Sequence, residues 1–251
     1  FVSCSLQDML RSLEKRSIPI TEFSKHWTVQ LNDTHPAIAV AELMRLLIDQ
    51  YHIGWDKAWN ITTSSVAYTN HTLLPEALEK WDLGLFNDLL PRHLEIIYEI
   101  NWRFLQQLRL RYPGDDKILQ KLSIIDEEGS KSVRMAHLAT IGAHHVNGVA
   151  ALHSDLIKRQ LLPEFAKLWP EKFTNVTNGV TPRRWVALSN PSLSNLLEEE
   201  VGPDWITNME LLKKLEEKKD DTSFLQKFEE TKLNGKRKLA SFIHNKTGIL
   251  V

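Results

Sequence analysis

Three short clusters of hydrogen-bonding residues, each following an apolar segment, are the parts of this sequence best suited to bind a ligand. They are residues 32–35 (Asn-Asp-Thr-His), residues 68–72 (Tyr-Thr-Asn-His-Thr) and residues 178–185, which begin Asn-Gly and end Arg-Arg-Trp. In open α/β sheets, ligand sites are built at strand ends and the loops beyond them. Each cluster also has a plain structural interpretation: a helix cap, a polar turn, and a turn before a helix, respectively. The local patterns leave both interpretations open.

The chemistry that these residue types favour is sugar recognition. A hexose presents hydroxyls that both donate and accept hydrogen bonds, and Asn and neutral His can also do both through distinct atoms. A set rich in His, Asn, Asp, Thr and Tyr but poor in strong nucleophiles fits carbohydrate binding better than acyl transfer. Arg183 and Arg184 at a helix start suit phosphate or carboxylate, or they form a solvated structural pair.

Several common catalytic signatures are missing from the sequence. It contains no phosphate-binding Gly-rich loop, no dinucleotide fingerprint, no H-E-x-x-H and no G-x-S-x-G. His144 and His145 are adjacent, and neighbouring side chains on regular structure point away from each other, so the pair is a poor chelate. We predict no metal site.

The elements that must position these clusters alternate between strand and helix, with helix dominating. Apolar runs predict strands at residues 28–31 and 64–69. Helical spacing predicts helices over residues 37–48, 53–60, 91–111, 148–158 and 220–243. This alternation indicates an α/β protein with a large helical share.

Three local details complete these element predictions. Residues 1–13 suggest a strand end that runs into a helix, with Ser5 as N-cap. Pro36 suits the first turn of a helix capped by Asp33 or Thr34, and residues 75–81 suggest another helix start.

Composition limits the class of protein. The 251 residues are 42% hydrophobic and 25% charged, which is enough for one large domain or parts of two. The formal net charge of -1 gives no electrostatic reason to expect nucleic acid or an anionic membrane as partner. No apolar run reaches bilayer-spanning length. The single cysteine, Cys4, excludes an internal disulfide and favours a reducing compartment.

The clusters, together with several other motifs, resemble the glycogen/starch phosphorylases. The motifs occur in that family's order and at its spacing, and the resemblance covers essentially all 251 residues. They include Gln-Leu-Asn-Asp-Thr-His-Pro at 30–36, Ala-Tyr-Thr-Asn-His-Thr at 67–72, His-His-Val-Asn-Gly-Val-Ala at 144–150 and Thr-Asn-Gly-Val-Thr-Pro-Arg-Arg-Trp at 177–185.

The resemblance implies a fold and an activity. The fold would be part of a helix-rich GT-B architecture, in which two Rossmann-like domains face each other across a cleft. Residues 1–175 would be the C-terminal part of the N-terminal, glucan-side domain, and residues 176–251 the start of the C-terminal, cofactor-side domain. The enzyme would be a cytoplasmic, allosteric homodimer that uses inorganic phosphate to cleave terminal α-1,4 bonds of a glucan and release glucose 1-phosphate.

The implied cofactor is pyridoxal phosphate. The family's Schiff-base lysine lies in a later Gly-rich segment outside these 251 residues, so this fragment alone is expected to lack turnover.

The resemblance also implies roles for single residues on the sugar side of the cleft. His71 matches the histidine that contacts the 6-hydroxyl of the glucosyl unit, partly through its main chain, and Asn178 matches the asparagine that shares this hydroxyl. Asp33 and His35 match residues that line the pocket on the anomeric side, and Glu79 matches an acidic residue near that pocket.

Three further residues match positions nearer the cofactor. His144 and Val149 match cleft-wall residues close to the sugar and the cofactor. Trp185 matches a tryptophan packed near the cofactor phosphate.

Two other classes of function stay open from the sequence. The chain could be a carbohydrate-binding or helical interaction module without chemistry. It could also belong to a nucleotide-sugar glycosyltransferase of the same fold, which would need a donor-binding Glu later in the chain.

Overall fold

The computed structural model describes residues 1–74, 76 and 78–251 and divides into two units, Phe1–Asn178 and Gly179–Val251. In the described part of the first unit the strands are β1 (Val29–Asn32), β2 (Val66–Thr69), β3 (Lys80–Asp82), β4 (Ile125–Asp126), β5 (Ser132–Arg134), β6 (Val146–Gly148) and β7 (Phe173–Asn175). Its α-helices are α1 (Val2–Lys15), α2 (Phe23–His26), α3 (Ala39–Arg45), α4 (Trp55–Ser65), α5 (Leu83–Leu89), α6 (Pro91–Arg111), α7 (Asp116–Leu122), α8 (Met135–Gly142), α9 (Ala151–Leu156) and α10 (Pro163–Leu168).

A parallel sheet lies at the centre of the first unit. Among the described residues it has the order β1-β2-β6-β7, and each pair of neighbours runs parallel. Helices α3 and α4 connect β1 to β2, and α9 and α10 connect β6 to β7. Leu31, Val66, Tyr68 and Val146 are fully buried in these strands, as expected for a parallel sheet covered by helices on its faces. The prediction of a helix-rich α/β fold is confirmed.

Helix α6 shows how well a strong periodic pattern predicts local structure. It runs over Pro91–Arg111, as the spacing predicts, with its proline in the first turn where a missing N–H costs no hydrogen bond. Its buried face includes the predicted positions Leu94, Ile97, Ile100, Phe104 and Leu108.

The predicted helix start at residues 75–81 is wrong at residues 80 and 81. Residues 80–82 form β3, in which Trp81 pairs with Val133 of the antiparallel strand β5. Positions 75 and 77 lie outside the described residues. Pairing with a strand distant in sequence overrides the helix-favouring Leu, Glu and Lys of residues 78–80.

Three predicted boundaries also need correction. Helix α1 begins at Val2, so Phe1 ends no strand, and the Ser5 hydroxyl donates to the Phe1 carbonyl (3.3 Å) instead of capping the helix. Helix α3 begins at Ala39 rather than at the predicted first turn near Pro36. Helix α9 begins three residues later than predicted, because Gly148 belongs to β6.

The second unit is helical where the structure describes it and has its own apolar cluster. It contains α11 (Pro191–Val201) and α12 (Thr222–Thr247), and the second of these confirms the predicted helix over residues 220–243. Trp205 is fully buried in a cluster with Leu197 and Val201.

None of the helices in the described part of the chain combines the length and the apolarity that crossing a bilayer requires.

Candidate functional site

Four loops meet at the carboxyl edge of the parallel sheet. Because β1, β2, β6 and β7 are parallel, the chain leaves all of them at the same edge, where open α/β sheets form their ligand sites. Asp33 follows β1, His71 follows β2, Val149 follows β6 and Asn178 follows β7. The sheet therefore brings four of the predicted site residues to one edge, although they lie far apart in the sequence.

Asp33 links the first two loops. Its N–H donates to the Thr69 carbonyl (2.9 Å), which extends the pairing of β1 with β2 by one residue. Its carboxylate accepts hydrogen bonds from the N–H of Thr34 (2.7 Å) and from the N–H of His71 (3.2 Å). The main chain of His71 is therefore held by Asp33, while the His71 side chain stays exposed.

Glu79 is attached to the same loop. The Thr34 hydroxyl, which is almost fully buried, donates to Glu79 Oε2 at 2.6 Å. The main-chain carbonyl of Glu79 accepts from the N–H of Met135 (3.1 Å). The bond from Thr34 holds Glu79 beside the loop that carries Asp33.

His35 borders a different feature. It lines a mostly apolar cavity of about 230 Å³, whose other lining residues are Ile38, Trp81, Leu85, Phe86, Leu89, Leu90 and Met135. The His35 side chain is exposed. His35 therefore lies between this apolar cavity and solvent, and its place on the anomeric side of the sugar pocket stays a prediction.

A chain of side-chain hydrogen bonds runs along the edge from β2 to β6. The Val149 N–H donates to His153 Nδ1 (3.1 Å), His153 Nε2 lies 3.0 Å from Asn70 Oδ1, and Asn70 Nδ2 donates to Tyr68 Oη (3.1 Å). Because a main-chain N–H can only donate, Nδ1 accepts, and in the neutral ring the proton is then on Nε2. His153 Nε2 therefore donates to Asn70, which fixes the orientation of the Asn70 amide.

The environment keeps this chain uncharged near neutral pH. Burial and the neighbouring His71 lower the pKa of His153, and nearby Asp33 only partly opposes them. Burial raises the pKa of Tyr68, which is fully enclosed. Both side chains are therefore neutral at pH 7, the state that the hydrogen bonds require.

Asn178 is placed at the edge by the loop that follows β6. Its N–H donates to the carbonyl of Val149 (3.0 Å), and the Val176 N–H donates to the carbonyl of Gly148 (3.1 Å). The Asn178 side chain is exposed. Val149 thus uses both main-chain groups at this edge, its N–H toward His153 and its carbonyl toward Asn178.

Ser154 fastens the last loop to the helix α9. Its hydroxyl lies 2.7 Å from Asn175 Oδ1, and Asn175 Nδ2 donates to the Thr177 hydroxyl (3.1 Å). Consecutive residues of α9, His153 and Ser154, therefore hold the loops on both sides of β6.

The structure does not bring His144 together with Val149. The His144 N–H donates to the carbonyl of Val66 (2.8 Å), the first residue of β2, so His144 lies at the amino edge of the sheet. Its Nδ1 lies 2.7 Å from His145 Nδ1, so the expectation that these two neighbouring side chains point away from each other is wrong. The two edges are separated by the length of the strands, so His144 is not part of the group formed by Asp33, His71, Val149 and Asn178.

Trp185 belongs to the second unit. It lies on a π-helical turn, Arg183–Leu188, and its N–H donates to the Thr181 carbonyl (3.1 Å). Its side chain is 64% exposed, and Arg184 beside it is exposed as well. An exposed indole and a guanidinium can pack against a flat, phosphate-bearing ligand.

Sequence reasoning missed His153, which makes two of the hydrogen bonds at this edge. The available signal was its position four residues after Val149, in the first turn of the helix that leaves the strand. Helical side chains point back toward the N-terminus of their helix, here toward the strand end.

The edge can bind a hydroxylated ligand through hydrogen-bond donors and acceptors. His71 and Asn178 expose an imidazole and an amide, and Asp33 and His153 hold the main chain near them. Among the described residues no group of three or more His, Cys, Asp or Glu side chains could hold a metal ion.

Comparison with known proteins gives consistent matches over the whole chain. The family profile for carbohydrate phosphorylases matches residues 1–251. A glycogen phosphorylase of Synechocystis sp. is 58% identical over 251 residues, which are all of this chain and 30% of that protein. A glycogen phosphorylase of Chlamydia trachomatis is 49% identical over 250 residues, 100% of this chain and 31% of that protein.

A human protein matches less closely. The muscle form of human glycogen phosphorylase is 43% identical over 250 residues, 96% of this chain and 30% of that protein. The chain therefore spans less than a third of the length of these relatives.

Proposed function

Because this chain belongs to the carbohydrate phosphorylase family, we propose that it forms the glucan-facing part of an α-glucan phosphorylase and works within a longer polypeptide. The longer enzyme is a glycosyltransferase. It breaks the C1–O4 bond of a terminal α-1,4-linked glucose, forms a new bond from C1 to an oxygen of inorganic phosphate, and leaves the proton on O4 of the shortened glucan. The products are glucose 1-phosphate and a glucan one unit shorter.

The observation that carries this proposal is the meeting of Asp33, His71, Val149 and Asn178 at one edge of the sheet. Hydrogen-bonding groups held by a rigid sheet suit the hydroxyls of one glucose ring. Since the edge offers little covalent chemistry, its contribution is to bind and orient the sugar. His71 and Asn178 are the residues we assign to the 6-hydroxyl.

The domain assignment follows from the family fold. The helix-rich α/β architecture is that of a GT-B segment, and we assign residues 1–175 to the glucan-side domain and residues 176–251 to the start of the cofactor-side domain. The family resemblance also supports a cytoplasmic homodimer. The regions outside this chain would supply the remaining phosphate-binding residues.

The cofactor that fits this family is pyridoxal phosphate. The residues present here fit one side of it, because Trp185 offers an exposed indole face and the preceding residue, Arg184, an exposed cation. When bound, the cofactor supplies a phosphate that exchanges a proton with the substrate phosphate. We place the lysine that anchors it outside these 251 residues.

The test is phosphorolysis by the full-length protein carrying His71→Ala. We expect glucose 1-phosphate release from maltodextrin and inorganic phosphate to fall about 100-fold or more, because a contact that strengthens in the transition state is lost. His26→Ala, an exposed histidine on α2, is the matched control and should keep wild-type activity.

The cofactor absorbance of each variant should equal that of the wild type, so that lost activity does not reflect lost cofactor. A His71→Ala protein with near-normal kcat/KM would remove His71 from the site. A wild-type protein that binds maltodextrin without releasing glucose 1-phosphate would favour a binding module instead.

A further inference from the structure

The side chain between the two loops that carry His71 and Asn178 is His153. We propose that His153 is a positioning residue that sets the geometry of the glucosyl-binding pair through the main chain of Val149 and the side chain of Asn70. The effect of His153 on glucosyl binding rests on the proposed function, but its effect on the two loops can be tested separately.

The first support is the direction of the hydrogen bonds. His153 accepts from the Val149 N–H through Nδ1 and donates to Asn70 Oδ1 through Nε2, at 3.1 and 3.0 Å. The only tautomer that satisfies both bonds is the neutral ring with its proton on Nε2. The His153 side chain therefore forms one hydrogen bond with each of two loops.

The second support is what those two partners hold. Asn70 is fully buried and immediately precedes His71. Its amide nitrogen, Nδ2, donates a hydrogen bond to Tyr68 Oη. The Val149 carbonyl accepts the N–H of Asn178. A change at His153 is thus passed on to His71 through Asn70, its neighbour in the chain, and to Asn178 through Val149, whose carbonyl accepts the Asn178 N–H.

The third support is how firmly His153 itself is held. Its helix α9 approaches β6 so closely that a Cβ placed on Gly148 would lie 2.5 Å from Ser154 Oγ and 2.9 Å from the Ser154 main chain. The helix cannot retreat or rotate without breaking this contact. A rigid support of this kind keeps binding groups at the geometry that catalysis requires.

The chemistry of the two ring nitrogens allows each bond to be removed separately. In His153→Asn the Oδ1 atom replaces Nδ1 and still accepts from Val149, but the donor to Asn70 is lost. In His153→Gln the Nε2 atom replaces the ring Nε2 and still donates to Asn70, but the acceptor for Val149 is lost. His153→Phe fills the volume of the ring and makes neither bond.

The kinetic test uses these variants in the full-length protein, with maltodextrin and inorganic phosphate as substrates. We expect His153→Phe to raise KM for maltodextrin and lower kcat/KM at least 10-fold, with an unchanged cofactor absorbance and a small fall in melting temperature, because two polar groups lose their partner. His153→Asn and His153→Gln should each recover part of this loss. Lys158→Ala, an exposed change beyond the end of α9, is the control and should behave like the wild type.

A second measurement is independent of turnover. Hydrogen exchange followed by mass spectrometry should show faster exchange in peptides covering residues 146–152 and 175–181 in His153→Phe and His153→Gln, and less change in His153→Asn. If the exchange changes but the wild type releases no glucose 1-phosphate, the positioning role stands and the proposed function fails.

Two results would overturn the positioning role. One is wild-type KM and kcat/KM in His153→Phe. The other is an equal loss in all three variants with unchanged exchange at both peptides.

Discussion

Asp33 shows how one residue can serve both the main chain and the site. Its φ of 63° lies in the left-handed region, which Asp tolerates because its short side chain bonds to nearby main-chain groups. The same carboxylate then reaches the N–H of His71 across to the next strand. A helix cap would have used this carboxylate within its own helix, so the structure replaces the cap interpretation with a bridge between two loops.

Glu42 is the most thoroughly satisfied buried charge in the described part of the first unit. It is 2% exposed and accepts hydrogen bonds from Arg45 (2.7 and 2.8 Å) and Ser3 (2.5 Å), with His93 Nε2 at 2.5 Å. Burial alone raises its pKa, but the bonds from Arg45, His93 and Ser3 outweigh burial and lower the pKa from 4.5 to about 2. The carboxylate joins α1, α3 and α6.

Replacing this carboxylate gives a pH-dependent stability difference. A pKa lowered from 4.5 to about 2 corresponds to about 3 kcal/mol of folding stability, because each unit is 1.36 kcal/mol. Since the folded-state pKa is the lower one, this stability is fully present above pH 4.5 and is lost as the pH falls toward 2. At pH 7 we expect Glu42→Gln to have a lower urea midpoint of unfolding than the wild type. As the pH drops below 4.5, the difference between the two midpoints should shrink.

The control for this experiment is Glu127→Gln, which changes an exposed carboxylate and should shift the urea midpoint little at either pH. A difference between wild type and Glu42→Gln that stays constant from pH 7 to pH 3.5 would contradict the assigned role of the charge.

At the scale of elements, the contact between α9 and β6 decides whether the site can form. Gly148 is the last residue of β6, and it allows the main chain of Ser154 to approach closely. This approach places His153 and Ser154 over the strand ends. The glycine is therefore required by a close approach of two backbones, and not by a positive φ.

A methyl group at Gly148 should separate the two elements. We expect Gly148→Ala to lower the melting temperature, equivalent to about 1–3 kcal/mol of overpacking, and to reduce phosphorolysis because α9 carries His153. Differential scanning fluorimetry and the glucose 1-phosphate assay would measure both effects.

Gly235→Ala is the control, for which we expect no loss of stability. This glycine is exposed in the interior of α12 with nothing within 4 Å of an added Cβ, so alanine should be neutral or stabilising, by up to about 1 kcal/mol. Equal melting temperatures for Gly148→Ala and the wild type would show that the contact is looser than described.

At the scale of the whole molecule, the two units have separate apolar clusters. The cluster of the first unit surrounds the parallel sheet, and that of the second includes Leu197, Val201 and Trp205. The Trp205 indole is fully buried, and its Nε1 has no hydrogen-bond partner among the described residues. Trp205 therefore stabilises the second unit through its packing contacts.

Truncating Trp205 should loosen the second unit first. We expect Trp205→Ala to cost about 3–5 kcal/mol through the cavity it leaves, and to speed hydrogen exchange across residues 191–247 before it affects β1 and β2. Trp205→Phe should cost less, because it keeps an aromatic ring and removes the unpaired N–H. Simultaneous loss of protection in both units would contradict separate clusters.

The sequence by itself determined the elements that have a strong local pattern and the order of the motifs. The apolar spacing of α6 and its first-turn proline are properties of neighbouring residues, so they can be read without knowing what the helix packs against. The same is true of the polar residues that follow β1 and β2. The family resemblance then rested on motifs whose order and spacing are also written along the chain.

The tertiary structure alone decided which of these residues meet. His144 and Val149 lie close in the sequence, yet they belong to opposite edges of the sheet, because the strand between them carries the chain across it. The sequence indicates the position of His153 in the first turn after β6 but not its role, because that role depends on the register of β2 with β6 and on how close α9 lies to the sheet. Residues 80–82 became a strand for the same reason: pairing and packing join distant segments, and no local pattern records which distant segment will be the partner.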